Sequence, residues 1–222
     1  MTMPSGDPKR AFGEIYRSHS WGSASKSGPG SEPAHTVEYR QLVERLLREL
    51  RVERVVDLGC GDWAFSRLID WSSVDYTGVE VVPELVDELS QRFGGPKRRF
   101  VCSDFSKKAW PDADLVLIKD VLQHWPNAAV MSFLARVSEA PFALVTNDYR
   151  KLYRGGPLRL YRWKELRTAN TDIQFGESRT LQLTEPPFQF DAIRVALFEH
   201  EVGRTRFIKE SLLWTRPTGA QP

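Results

Sequence analysis

Apolar positions recur with two different periods along this chain. Over residues 36–50 they fall on one helical stripe (Val37, Leu42, Val43, Leu46, Leu47, Leu50), with Glu44, Arg45, Arg48 and Glu49 turned to water. Short β-rich runs follow at residues 54–58, 76–80, 99–105, 113–119 and 141–148. Helical patterns lie between them. One starts at Asp62. One covers residues 83–93, with Pro83 in its first turn and Leu85, Leu89 and Phe93 inward. One covers residues 127–137, capped by Asn127, with Val130, Phe133, Leu134 and Val137 inward. This alternation predicts a parallel α/β sheet. Residues 194–201 and 205–215, joined around Gly203, predict an antiparallel hairpin that closes it.

The pattern breaks twice. Residues 1–34 are rich in Ser, Gly and Pro, yet carry Phe12, Tyr16 and Trp21, which a solvated tail would lack. They read either as a flexible linker or as a lid whose aromatics dock onto the domain formed by residues 35–222. Residues 149–189 read as an inserted substrate loop, opening on the basic and aromatic stretch of Tyr149, Arg150, Lys151, Tyr153 and Arg154 and continuing through Arg159, Tyr161, Arg162, Trp163, Lys164 and Arg167. Such a loop suits a phosphate, a carboxylate or a sugar nucleotide, and single-stranded RNA uses the same residue types. Otherwise it is a solvated surface whose aromatics pack inward.

The chemistry gathers at the strand ends. Val55-Val56-Asp57-Leu58-Gly59-Cys60-Gly61-Asp62 runs from a strand into a Gly-x-Gly turn, where backbone can approach a ligand closely. Glu80 ends the next strand, Asp104 and Phe105 the third, and Lys119 and Asp120 the fourth. A nucleotide-bearing ligand needs a glycine turn under its middle and an acid at its ribose. Gly59-x-Gly61-x-x-Ala64 with Glu80 downstream also fits a nicotinamide dinucleotide site, so the turn alone leaves both open.

With 222 residues, 41% of them hydrophobic, the chain can bury one sizeable core. A net charge of +2 gives no global case for nucleic-acid binding. No run is long and apolar enough to span a membrane, and residues 1–7 lack the apolar core of a signal peptide, so a cytoplasmic protein is expected. Cys60 and Cys102 read as packing residues, not as a disulfide, and four scattered histidines predict no metal site.

Taken in order, the strand-end acids and the closing hairpin resemble class I S-adenosylmethionine-dependent methyltransferases over residues 35–215. The resemblance implies a single Rossmann-like, doubly wound sheet, mostly parallel, with a C-terminal antiparallel β-hairpin, and S-adenosyl-L-methionine as cofactor. It implies that Gly59, Cys60, Gly61 and Asp62 turn under the methionine and ribose, and that Asp57 reaches the amino-acid end. Glu80 is expected at the ribose hydroxyls, Asp104 at the adenine amino group with Phe105 and Val81 flanking the ring, and Lys119 and Asp120 near the methyl. Methyl transfer by displacement needs positioning more than a fixed catalytic residue. His124, in Val121-Leu122-Gln123-His124-Trp125, is the first candidate for a general base, and Asp148 the second. Each has a plainer reading, as a packed histidine and as a turn cap. Trp21, Tyr149, Arg150 and Tyr153 are candidates to bind the acceptor. The motifs Trp21-Gly22-Ser23, Ser27-Gly28-Pro29-Gly30-Ser31 and Asn170-Thr171-Asp172-Ile173, with Pro186-Pro187-Phe188, look like those of small bacterial methyltransferases of glycan or natural-product tailoring. That likeness carries no substrate identity. The expectation is O-methylation of a small-molecule or saccharide acceptor, anionic or neutral, and the near-neutral charge argues against a nucleic acid; the alternatives are an NAD-dependent oxidoreductase and a non-catalytic cofactor-binding protein of the same fold.

Overall fold

A computed structural model of the chain describes residues 6–137, 139–155, 162–165 and 169–217. Its core is a sheet of strands β1 (Arg54–Leu58), β2 (Asp75–Glu80), β3 (Arg98–Cys102), β4 (Leu115–Lys119), β5 (Phe142–Gly155), β6 (Arg162–Glu165), β7 (Ile193–Val202) and β8 (Thr205–Thr215). Seven run in the order β3-β2-β1-β4-β5-β8-β7, and the short β6 pairs on β5. The first five are mutually parallel, and β8 and β7 add antiparallel. This is the Rossmann-like arrangement expected from the strand–helix alternation and the hairpin. The carboxyl ends of β1, β2 and β4 therefore open on one edge, where a doubly wound sheet places its ligand.

Four helices accompany the sheet: α1 (Pro8–Ser18), α2 (Val37–Glu49), α3 (Pro83–Phe93) and α4 (Asn127–Val137). Every residue of β4 is buried, as a central parallel strand covered on both faces requires. In α2 the buried stripe is Tyr39, Leu42, Val43, Leu46 and Leu47; Val37, expected inward, is 44% exposed. Tyr39 takes its place by packing edge-on against Phe65 and Phe198.

Two expectations fail. No α-helix starts at Asp62. Trp63 adopts a left-handed φ of 57°, which ends any helix there, and only a single 3₁₀ turn, Ser66–Leu68, follows. What the chain gains is burial of the Trp63 indole, whose N–H donates to Tyr76 Oη at 2.9 Å while its ring packs on Phe93 and Phe100. Residues 149–155 are not loop: β5 runs on past Asp148 and pairs with β8 as far as Tyr153. Residues 8–18, for which the sequence reading named no element, form a helix, with Pro8 in its first turn and Asp7 accepting from Lys9 N as its cap.

Residues 169–192 carry no regular element, yet they are fastened. The Arg179 guanidinium, 1% exposed, donates to the Trp125 carbonyl at 2.7 Å and to Asn127 Oδ1 at 2.9 Å, and Leu181 N donates to the Asp148 carbonyl at 2.7 Å. Of the residues expected to make a basic loop, Arg159, Tyr161 and Arg167 lie outside the described residues. No helix among the described residues is long and apolar enough to cross a membrane.

Leu117 sits in the middle of β4, 1% exposed, between Asp57 of β1 and Leu144 of β5. Leu117→Ala should lower unfolding stability by about 2–5 kcal/mol in denaturant titration. A loss below about 1 kcal/mol would show that the sheet centre is not packed as described.

Candidate active site

The strand ends enclose a cavity of about 310 Å³, at the lower end of the range for small-molecule sites. Gly59 and Gly61 have positive φ (74° and 58°), and a Cβ on either would lie within 2.4 Å of Val121 or 2.3 Å of Ser27. The turn is thus pressed between the β4 exit and the N-terminal segment, and only glycine fits.

Glu80 holds the floor. Its carboxylate, 5% exposed, accepts from Val81 N at 2.7 Å, Val82 N at 3.2 Å and Gly61 N at 3.2 Å. One side chain therefore ties the end of β2 to the glycine turn after β1. Burial raises its pKa above the ordinary carboxylate value, and the three amides oppose that rise. A carboxylate has about four acceptor positions, so about one remains for a ligand. Asp57 behaves differently. Its Oδ2 accepts from Tyr76 Oη at 2.7 Å and Ser66 Oγ at 3.4 Å, and burial pushes its pKa up to about 6. Asp104 lines the cavity but also caps its own turn, accepting from Ser106 N at 3.1 Å. Phe105, buried beside it, packs on Trp125, whose buried indole N–H finds no acceptor among the described residues.

The N-terminal segment roofs this half. Asp62 accepts from Ser25 Oγ at 2.9 Å, Lys26 N at 2.7 Å and Ser27 Oγ at 3.1 Å, while Asp62 N donates to Ser27 Oγ at 2.9 Å. Tyr16 Oη lies 2.8 Å from the same Ser27 Oγ. Trp21 packs on Tyr16 and, with ring centroids 5.2 Å apart, on His124. The Gly30 carbonyl accepts from Lys119 Nζ at 2.8 Å.

Across the glycine turn lies a cluster of buried charge. Lys209 Nζ, on β8, donates to Asp120 Oδ1 at 2.6 Å and Asp148 Oδ1 at 2.7 Å, and Lys119 Nζ donates to Asp120 Oδ2. These carboxylates hold the Lys209 pKa well above its usual value even though burial lowers it. The two lysines hold Asp120 well below the carboxylate range although its burial acts the other way. A β-bulge shapes this end. The β5–β8 register shifts between Asp148 and Arg150, so Tyr149 is the extra residue, and Asp148 and Lys151 both reach the cavity. His124 is 9% exposed; its Nδ1 lies 2.8 Å from the Glu177 carbonyl, which can only accept. That contact assigns the proton to Nδ1 and leaves a lone pair on Nε2. Burial lowers the His124 pKa below the ordinary imidazole value, more than its bond to the Glu177 carbonyl raises it.

Residues 56–140 match a family model described as a methyltransferase domain. Over that stretch, from β1 to the end of α4, the chain is similar to methyltransferase domains. No curated protein matches its sequence. Among solved structures, 1,6-didemethyltoxoflavin-N1-methyltransferase of Burkholderia thailandensis shares 17% identity at a TM-score of 0.56, covering 97% of this chain and 93% of its own. Magnesium protoporphyrin IX methyltransferase of Synechocystis, with S-adenosylhomocysteine bound, shares 13% at 0.55, covering 95% and 100%. The N-methyltransferase NodS of Bradyrhizobium japonicum, in complex with S-adenosylhomocysteine, shares 12% at 0.55, covering 89% and 98%. These likenesses extend the shared fold over nearly the whole chain.

Asp57, Gly59, Cys60, Gly61, Asp62, Glu80, Val81, Asp104, Phe105, Lys119, Asp120, His124, Asp148 and Trp21 all line the cavity. Tyr149, Arg150 and Tyr153 do not. The bulge turns Arg150 outward, where its guanidinium lies over the Tyr149 ring, and Tyr153 is 41% exposed. Lys151 and Ser178, within the expected substrate loop but not singled out there, also line it, and sequence reasoning missed His200, Phe207 and Lys209. The one available signal was Lys209-Glu210, two charges set between the apolar pairs Phe207-Ile208 and Leu212-Leu213. Among the described residues, no group of three or more His, Cys, Asp or Glu could hold a metal ion, and both cysteines are free thiols.

Two outcomes are expected. Glu80→Ala should weaken S-adenosylhomocysteine binding at least about tenfold, since a charge-assisted hydrogen bond contributes about 1.5–3 kcal/mol and the turn also loses its anchor. Unchanged affinity in calorimetry would mean that the cradle lies elsewhere. Asp62→Ala should loosen residues 16–31 with the fold intact, read as faster amide exchange there alone and faster release of the bound cofactor product. Exchange and release rates equal to the parent's would make the Asp62 contacts incidental.

Proposed function

We propose that the chain is an S-adenosylmethionine-dependent methyltransferase acting on an oxygen of a small-molecule or saccharide acceptor, with His124 receiving the acceptor's proton. The observation that carries this is the placement of a neutral imidazole, its lone pair on Nε2, in the wall between the glycine turn and the charged end of the cavity. When bound, S-adenosylmethionine supplies an electrophilic methyl group on a sulfonium. The residues present suit it. Glu80 has acceptor capacity left, the Trp125 indole N–H is buried without a partner, and Val81 and Phe105 give an apolar slot beside Asp104. In this reading Glu80 takes a ribose hydroxyl, Asp104 the adenine amino group, and Asp57 the amino-acid end.

What the chain itself does is hold, orient and keep water out. The roof of residues 16–31 keeps solvent from the turn. Packing between Trp21 and the Glu177 carbonyl fixes the His124 ring. Gln123 sets its own amide by accepting from Asp148 N at 2.7 Å, which turns its NH₂ toward His124 Nε2 at 3.4 Å. That contact is long and can yield to an acceptor hydroxyl. Asp148 is the poorer base, because Lys209 and Lys151 hold its carboxylate in ion pairs.

Turnover with methyl-labelled S-adenosylmethionine against pooled hydroxy acids, phenols and saccharides, followed by mass identification of the product, tests the acceptor class. With that acceptor, His124→Gln should slow turnover by roughly 10²–10⁴-fold at unchanged cofactor affinity. The imidazole must be neutral to accept a proton, and its pKa lies below the ordinary value. The parent rate should therefore be flat at neutral pH and fall only in acid, a limb the variant lacks. A near-parental rate in His124→Gln would leave catalysis to alignment alone.

A further inference from the structure

We infer that the far end of the cavity is a carboxylate pocket, in which the Lys151 ammonium and the Ser178 hydroxyl hold an anionic acceptor. This rests on the methyltransferase reading and names the class of its second substrate. The residues differ from the exposed Arg150 and Tyr153 that composition pointed to.

The bulge at Tyr149 is the first observation. Regular alternation would put residues 148, 150 and 152 on one face of β5. The extra residue instead sends Lys151 to the face of Asp148, where its ammonium lies over the Phe207 ring at 5.3 Å and its side chain is 17% exposed. Bulges re-aim side chains in this way beside functional sites.

Charge is the second. Lys119, Lys151 and Lys209 face two carboxylates here, Asp120 and Asp148. Lys209 is bonded closely to both, and Lys119 to Asp120 and the Gly30 carbonyl. Lys151 has the loose contacts: 3.4 Å to Asp148 Oδ2 and 3.2 Å to Ser178 Oγ. One positive charge is thus in excess, carried by the lysine nearest the mouth. The carboxylates across the glycine turn, Asp57 and Glu80, face a cofactor whose sulfonium and ammonium outweigh its one carboxylate, while Asp62 is taken up by the roof and Asp104 by its own turn. Ser178 Oγ accepts from Lys151, so its own O–H is left to donate, and the pair presents two donors to one oxyanion. A monoanionic carboxylate balances the excess; a phosphate dianion would overshoot it.

The test uses the full chain saturated with S-adenosylhomocysteine and titrated, by calorimetry or by chemical-shift changes, with benzoate, benzamide and phenyl phosphate. Benzoate should bind at least about tenfold more tightly than benzamide, the return expected from one charge-assisted contact, and phenyl phosphate no more tightly than benzoate. Lys151→Met should abolish that preference while S-adenosylhomocysteine still binds as in the parent, and Lys151→Arg should keep part of it. Equal or absent binding of benzoate and benzamide, or a preference that survives Lys151→Met, would overturn the pocket. Tighter binding of phenyl phosphate than of benzoate would overturn the carboxylate. Failure of S-adenosylhomocysteine itself to bind would be a separate result, striking the methyltransferase reading and not the pocket alone.

Discussion

Lys209 holds the charged end of this cavity together. Its ammonium, on the antiparallel strand β8, is bonded to Asp120 at the exit of β4 and to Asp148 within β5. Asp120 in turn engages Lys119, which reaches the Gly30 carbonyl in the roof. Three strands and the N-terminal segment thus meet around one cation. Burying such charges is costly, and removing one partner typically costs about 3–5 kcal/mol because the others are left uncompensated. The cluster is therefore better understood as fixing geometry than as adding stability. It sets the register of the hairpin against the parallel sheet at the point where the cavity ends.

The end over the glycine turn is held by an anion in place of a cation. Glu80 collects amides from both the β2 exit and the glycine turn, so the spacing of the two strand ends and the shape of the turn are one feature. Asp62 does the same for the roof, gathering Ser25, Lys26 and Ser27. The sheet supplies the platform, and single polar side chains at its carboxyl edge decide where the mobile-looking parts of the sequence come to rest.

That difference explains what could be read in the sequence. The strand-end residues were legible because each stands next to its own strand in the chain: Asp57 before the glycine turn, Glu80 closing β2, Lys119 and Asp120 closing β4. Helix α3 was legible to the residue, since Pro83 opens it and Gly94 follows its end. Helix α1 was hidden by the Ser, Gly and Pro content of residues 1–34, although Phe12, Ile15 and Tyr16 already lie at helical spacing behind the Asp7 cap. Lys151 and Arg150 could not be told apart, because a one-residue bulge leaves no local mark and exchanges which of them faces the cavity. Lys209 looked like a strand polar residue. Its partners come from the exit of β4 and from β5, about ninety and about sixty residues away, and only the folded sheet brings them together.

The central claim is that the carboxyl edge of β1, β2 and β4 is built for S-adenosylmethionine. A calorimetric titration of the parent protein with S-adenosylhomocysteine, run beside one with a nicotinamide dinucleotide, tests it most directly. One saturable site for S-adenosylhomocysteine, with no heat of binding for the dinucleotide, is the predicted result. Saturable binding of the dinucleotide, with none for S-adenosylhomocysteine, would contradict it.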